Sequence, residues 1–217
     1  MNALGLIEVY SFTTALYVAD LMAKAADVKV IAFDRNRPFA PDAPAPLIMI
    51  VKVEGSVAAV KAAIDAASDY AKSKNRYIVS HIIARPDEST EKMAYLMDIN
   101  KDKFNKKFPK TMKNAEAPTQ PFGKAIGILE ISGFTASVVA LDAMCKAAEV
   151  HLLHKEERLG GRLVTLVVAG SVSAVKASVE HGKAIASPVG EVFGTEIIPS
   201  PHPELLKFFD LDIIKEN

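Results

Sequence analysis

One stretch of this sequence occurs twice. Ala3-Leu4-Gly5-Leu6-Ile7-Glu8-Val9 returns as Ala125-Ile126-Gly127-Ile128-Leu129-Glu130-Ile131. Phe12-Thr13, Asp20, Met22, Lys24, Ala25-Ala26 and Val28 return as Phe134-Thr135, Asp142, Met144, Lys146, Ala147-Ala148 and Val150, at a constant offset of 122. An offset that holds across a strand-length run and the helix-length run after it means two copies of one folding unit. In a chain of 217 residues that leaves about 85–90 residues per copy, an ordinary domain size. The expected division is 1–87 for the first domain, 88–123 for a linker, 124–203 for the second domain and 204–217 for a tail.

Within each copy the hydrophobic period switches in the same order. Leu4–Val9 is a short apolar run and reads as a strand. Thr13–Ala26 carries Leu16, Ala19, Met22 and Ala23 at helical spacing, with Thr13 or Thr14 placed to cap it. Val28–Phe33 and Pro46–Val53 are strands, Val57–Tyr70 a helix opened by Gly55-Ser56, and Arg76–Ala84 a last strand. The second copy predicts Ala125–Ile131, Ala136–Ala148, Val150–His154, Leu163–Ala169, Val172–Ala186 and Glu191–Pro199 in the same roles. The order is β-α-β-β-α-β, an α+β ferredoxin-like arrangement repeated in tandem.

The offset drops to 115 after the second strand, so the first copy carries seven more residues in that hairpin. They fall in Asp34–Pro46, where Pro38, Pro41, Pro44 and Pro46 stiffen the backbone and forbid regular pairing. The second copy has a short loop, Lys155–Arg162, with Gly160-Gly161. Loops that diverge on a shared scaffold are where function concentrates. In the linker, Glu88–Asp98 has helical apolar spacing, and Lys101–Phe108 is a basic run with two aromatics that reads as a solvated face.

Charge and chemistry exclude several classes. Lys+Arg and Asp+Glu both number 26, and a neutral chain with no basic stripe argues against nucleic acid as the ligand. Cys145 stands alone, so zinc and iron–sulfur sites lack ligands and no cofactor is expected. The five histidines, His81, His151, His154, His181 and His202, have no ligand spacing. Glu8 and Glu130 recur one per copy at a strand end, which suits a salt bridge or a helix-end partner better than a pair of acid–base carboxylates. No phosphate-binding glycine loop is present, and an enzyme is not expected. Neither a signal peptide nor a bilayer-length apolar run is visible, so the expectation is a cytoplasmic protein without membrane contact.

Four motifs in order, found twice, carry a family resemblance. They are Ala-x-Gly-x-x-Glu, Asp-x-x-x-Lys-Ala-Ala-x-Val, Gly-Ser-Val-x-Ala-Val-Lys-Ala and Ile-Ile-x-x-Pro. Together they resemble the bacterial microcompartment shell domain, and the duplication resembles its tandem, trimer-forming, non-permuted class. The resemblance implies a homotrimer of two-domain chains, pseudohexagonal in outline, tiling with other shell proteins into a sheet around metabolic enzymes. It implies tile-edge contacts by Lys24 and Lys146, and by the Arg-Pro-His signature that this chain splits into Arg85-Pro86-Asp87 and Ser200-Pro201-His202. It also implies that the second-to-third-strand loops line a central pore for small metabolites. In the first copy these residues are Arg35, Arg37, Phe39 and Asp42; in the second, Arg158, Leu159, Gly160, Gly161 and Arg162. Whether the longer first loop narrows the pore, plugs it or forms a separate site is open. A relative's iron–sulfur cluster would need a loop cysteine that neither loop has. A ferredoxin-like small-molecule sensor is the alternative, because that topology hosts many functions.

Overall fold

The computed structural model describes residues 2–38, 42–87, 90, 94, 125–156 and 162–209. Its elements are β1 (Ala3–Tyr10), α1 (Phe12–Ala25), β2 (Val28–Asn36), β3 (Ile48–Gly55), α2 (Val57–Ser73) and β4 (Tyr77–Ile83). The same series recurs as β5 (Ala125–Ser132), α3 (Phe134–Ala147), β6 (Val150–Glu156), β7 (Leu163–Gly170), α4 (Val172–Ala186) and β8 (Val192–Pro199). A last short helix, α5, spans Pro203–Leu206. Each copy builds one four-stranded antiparallel sheet, ordered β2-β3-β1-β4 in the first and β6-β7-β5-β8 in the second. This is the expected βαββαβ pattern, twice.

The repeat extends to irregularities of the sheets. The β1–β4 register shifts at Glu8/Val9 and the β5–β8 register at Glu130/Ile131. The β2–β3 register shifts at Val30/Ala32 and the β6–β7 register at Leu152/His154. Bulges at matching sites re-aim the same side chains in both sheets.

The repeated glycine of the first strand has a packing reason. A Cβ on Gly5 would lie 2.7 Å from Val60 Cγ1 of α2, and one on Gly127 would lie 2.6 Å from Val175 Cγ1 of α4. Only a residue without a side chain lets the helix settle this close to the sheet. The Gly-Ser pair of the third motif is a helix start. Ser56 Oγ accepts the Ala59 N–H at 3.1 Å, and Ser171 Oγ accepts the Ala174 N–H at 3.2 Å. Each satisfies one of the backbone donors orphaned in a first turn.

Two expectations are corrected. Neither Thr13 nor Thr14 caps α1: the helix already begins at Phe12, after Ser11 at φ 77°, so both threonines lie inside the first turn. Its free N–H groups go to a side chain distant in sequence, described below. β2 also runs on to Asn36, which places Arg35 in a strand. Of the expected linker helix, Thr90 and Ala94 are helical, and the Ala94 carbonyl accepts the Lys52 ammonium at 3.1 Å. The rest of 88–123 and the end of the tail lie outside the described residues.

The chain divides into two compact units that do not follow the repeat strictly. The first unit includes His202–Phe208 from the far end of the chain. There the His202 N–H donates to Asp20 Oδ1 at 2.6 Å, the Val30 N–H donates to Glu204 Oε2 at 3.1 Å, and the Phe208 ring meets Phe33 edge-on at 4.9 Å. The second unit includes Ser11–Thr13 and Phe209.

Candidate functional site

Lys24 and Lys146, the expected edge lysines, sit in the last turns of α1 and α3. The Asp-x-x-x-Lys spacing makes each an i,i+4 ion pair: Lys24 to Asp20 at 2.5 Å and Lys146 to Asp142 at 2.7 Å. A carboxylate one turn back holds each ammonium along the helix axis and reduces the rotamer freedom a docking contact must remove. Arg85 is exposed. His202 does something the sequence did not suggest. It caps α5, its Nδ1 accepting the Glu204 N–H at 3.1 Å.

The described residues of the two hairpin loops are held in different ways. At the first, Arg35 at the end of β2 and Arg37 in the loop are exposed, their N–H groups turned onto Asp34 Oδ1 and Asn36 Oδ1, and Asp42 is exposed. Arg76 Nη1 donates to the Pro44 carbonyl at 2.6 Å, which ties the returning arm of the loop to the body. In the second, Arg162 is exposed and has φ 64°, and its carbonyl accepts the Gly133 N–H at 2.8 Å. Phe39, Arg158, Leu159, Gly160 and Gly161 lie outside the described residues.

The sharpest local chemistry is at Glu130, on β5 and fully buried. Its carboxylate accepts Ser11 Oγ, the Phe12 N–H at 3.4 Å, the Thr13 N–H at 3.2 Å and Thr13 Oγ1 at 3.1 Å. An acceptor with negative charge at a helix N-terminus satisfies orphan donors and opposes the positive end of the helix dipole. The helix-end role, one of two open for the recurring glutamates, is therefore realised at Glu130. Its cross-strand neighbour Gly194 keeps the approach close, since a Cβ there would lie 3.1 Å from Thr13 Cβ and 3.3 Å from Ser11 Oγ.

The equivalent positions of the second copy are not covered. Phe12, Leu16 and Val30 are 0% exposed, whereas their counterparts Phe134, Val138 and Leu152 are 62%, 51% and 38% exposed. The Asp20 side chain is 6% exposed and that of Asp142 is 60%. A cavity of about 440 Å³ opens at the start of α3, lined by Gly133, Phe134, Thr135 and Arg162 among others. A second, of about 410 Å³, is lined by Glu8, Leu6, Asp34, Arg35 and Lys52 among others. Among the described residues no group of three or more His, Cys, Asp or Glu side chains is placed to hold a metal ion. No described helix is long and apolar enough to cross a membrane.

A family model described as the BMC domain matches residues 3–86 and, again, residues 125–201. The chain belongs to the BMC-domain family. Over 205 residues, 94% of this chain and 67% of the relative, it is 31% identical to the carboxysome assembly protein CcmO of Synechococcus elongatus. Over 84 residues, 39% of this chain and 88% of the relative, it is 45% identical to the bacterial microcompartment shell protein PduA of Salmonella typhimurium. A solved microcompartment protein from Desulfitobacterium hafniense DCB is 26% identical and covers 94% of this chain and 98% of its own, with a TM-score of 0.37.

The two BMC domains thus share a fold and differ in how exposed their first helix is. Sequence reasoning missed Ser11, Thr13 and Gly194 as parts of this site. The available signal was a pair of mismatches within the repeat: Ser11 where the second BMC domain has Gly133, and Gly194 where the first has Val79.

Proposed function

We propose that this chain is a structural tile of a bacterial microcompartment shell. Three copies close around a threefold axis and present six BMC domains as a pseudohexagonal plate, which packs edge to edge with its own kind and with other shell proteins. The observation that carries the reading is that one domain's length of this chain aligns with nearly the whole of a single-domain shell protein, and the chain holds two such domains. One face presented to a different face of the neighbour closes into a ring when the rotation between copies closes. A flat array multiplies edge contacts that are individually weak. Lys24 and Lys146, pre-oriented by their aspartates, and Arg85 supply the rim contacts in this reading. The planar donors of Arg85 suit a neighbour's backbone carbonyls.

The hairpin loops line the central opening. Arg35 at the end of β2 and Arg37 from the first loop, offset by Asp42, and Arg162 from the second loop place cationic groups there, which favours anionic metabolites of small size. Electron microscopy of the purified protein tests the tile. Extended sheets or tubes support it; discrete oligomers that require a bound small molecule would favour a sensor instead. Combining Lys24→Ala with Lys146→Ala is expected to abolish sheets and leave trimers intact on size exclusion. Monomers in that experiment would show that the lysines hold the trimer rather than the array.

A further inference from the structure

We infer that the uncovered start of α3 is closed by β1 and β4 of a second copy of this chain, with Glu8 of that copy accepting the N–H groups of Phe134 and Thr135. The inference rests on the trimer reading and specifies its contacts. Its basis is the pair of matched platforms in the two sheets. Glu130 and Gly194 are cross-strand partners beside a register shift, and Glu8 and Val79 are cross-strand partners beside the same shift. The first platform is occupied, because Glu130 holds the first turn of α1. The second is not: no described residue bonds the Glu8 carboxylate, and Val79 is an exposed apolar side chain.

What the Glu8 platform lacks, the start of α3 supplies. Phe134 and Thr135 repeat Phe12 and Thr13, so the same donors project from the same first turn. The Arg162 guanidinium lies beside Gly133, with Nη2 3.5 Å from where a Cβ would stand, and adds a positive charge to the cavity that an incoming carboxylate would enter.

The mismatches in the repeat compensate one another. In the occupied site, a side chain at position 194 would press on Ser11 Oγ, so glycine faces serine. In the open pair, Val79 faces a position where serine has become Gly133, whose φ of 95° also suits glycine. The volume added on one side is removed on the other, as expected of two surfaces that must fit. The exposed Phe134 and Val138 would be covered in the same step, as Phe12 and Leu16 already are. In this pairing β1 and β4 of one copy meet a different face, the start of α3, of the next, so the contact runs head to tail.

The test uses the full chain in a Cys145→Ser background. Glu8→Cys and Thr135→Cys are made on separate chains, mixed and oxidised; a disulfide-linked heterodimer is expected, and neither chain alone should cross-link. In parallel, Glu8→Gln should raise the concentration at which trimers dissociate in sedimentation velocity by about tenfold or more, because a charge-assisted hydrogen bond is lost at each of three interfaces. Its circular dichroism and unfolding midpoint at monomeric concentrations should match the parent. If the parent is trimeric, yet no heterodimer forms and Glu8→Gln dissociates like the parent, the inference falls while the trimer stands. If the parent stays monomeric at every concentration, both fall.

Discussion

The starts of α1 and α3 carry the same Phe-Thr pair at the same place in the same fold, yet one is buried and the other exposed. The lesson is that a duplicated domain does not duplicate its environment. In the first copy the helix start is completed within the chain by Glu130; in the second the same donors are left for solvent or for another copy. The Phe-Thr pair itself is the same at both sites, so the difference in burial is not set by those two residues.

That contrast predicts a large asymmetry between two equivalent glutamates. Glu130→Ala leaves two hydroxyls and two backbone N–H groups without their acceptor at a fully buried site. It should cost about 3 kcal/mol or more of unfolding free energy. Glu8→Ala, measured on the unassembled chain, should stay within about 0.5 kcal/mol of the parent, as surface substitutions usually do. Urea unfolding of the two variants at low protein concentration decides it; equal losses would erase the distinction between a filled and an open platform.

How much of this was legible beforehand follows from where each interaction's partners lie. The sheets and helices were readable because their signals are local: short apolar runs, apolar residues at helical spacing, a Gly-Ser pair before a helix. Glu130 was visible as a recurring glutamate open to a salt bridge or a helix-end role, but not its partner, because Ser11 and Thr13 lie 119 and 117 residues away. Similarly, residues 204–217 read as a tail. Yet Glu204 accepts the N–H of Val30, 174 residues distant, and a hydrogen bond of that span leaves no periodicity to detect. The Ser11–Gly133 and Gly194–Val79 mismatches were in plain view as letters. Their meaning needed the φ of Ser11 and the distance between Gly194 and Thr13.

The glycines beneath α2 and α4 permit a finer comparison. An added Cβ at Gly127 meets Val175 Cγ1 and Val179 Cγ2, both at 2.6 Å; at Gly5 the nearest atoms are at 2.7 and 2.9 Å. Overpacking of this kind costs about 1–3 kcal/mol, with Gly127→Ala expected to lose at least as much as Gly5→Ala. Denaturant midpoints of the two variants check the order. If Gly5→Ala proves clearly the worse, then the first sheet yields less than the second, and the two scaffolds are not mechanically alike.

The edge lysines separate stability from assembly. The Asp20 side chain is nearly buried and also accepts the His202 N–H, so Lys24→Ala removes a counter-charge from a sheltered carboxylate and should cost about 1 kcal/mol. The Lys146–Asp142 pair is largely solvated, and Lys146→Ala should stay within about 0.5 kcal/mol. Both changes are nevertheless expected to weaken sheet formation, because the tile reading places both ammonium groups at the rim. Thermal unfolding paired with electron microscopy of each single variant tells the two effects apart.

The smallest expected effect concerns Cys145, whose counterpart Ala23 is buried while Cys145 is exposed on α3. Partial desolvation against the protein, and secondarily the Asp142 carboxylate, push its thiol pKa up from the usual value. The thiolate is the reactive form, so a raised pKa means less of it at a given pH. Alkylation of the unassembled protein near neutral pH should be slower than that of a free cysteine peptide, and the gap should close as the pH rises. Asp142→Asn removes the lesser cause and should quicken the reaction without bringing it to the peptide's rate. Full recovery in that variant would make the carboxylate, and not desolvation, the main influence. The surface around Cys145 would then be as open to water as the exposure of Phe134 and Val138 makes the start of the same helix.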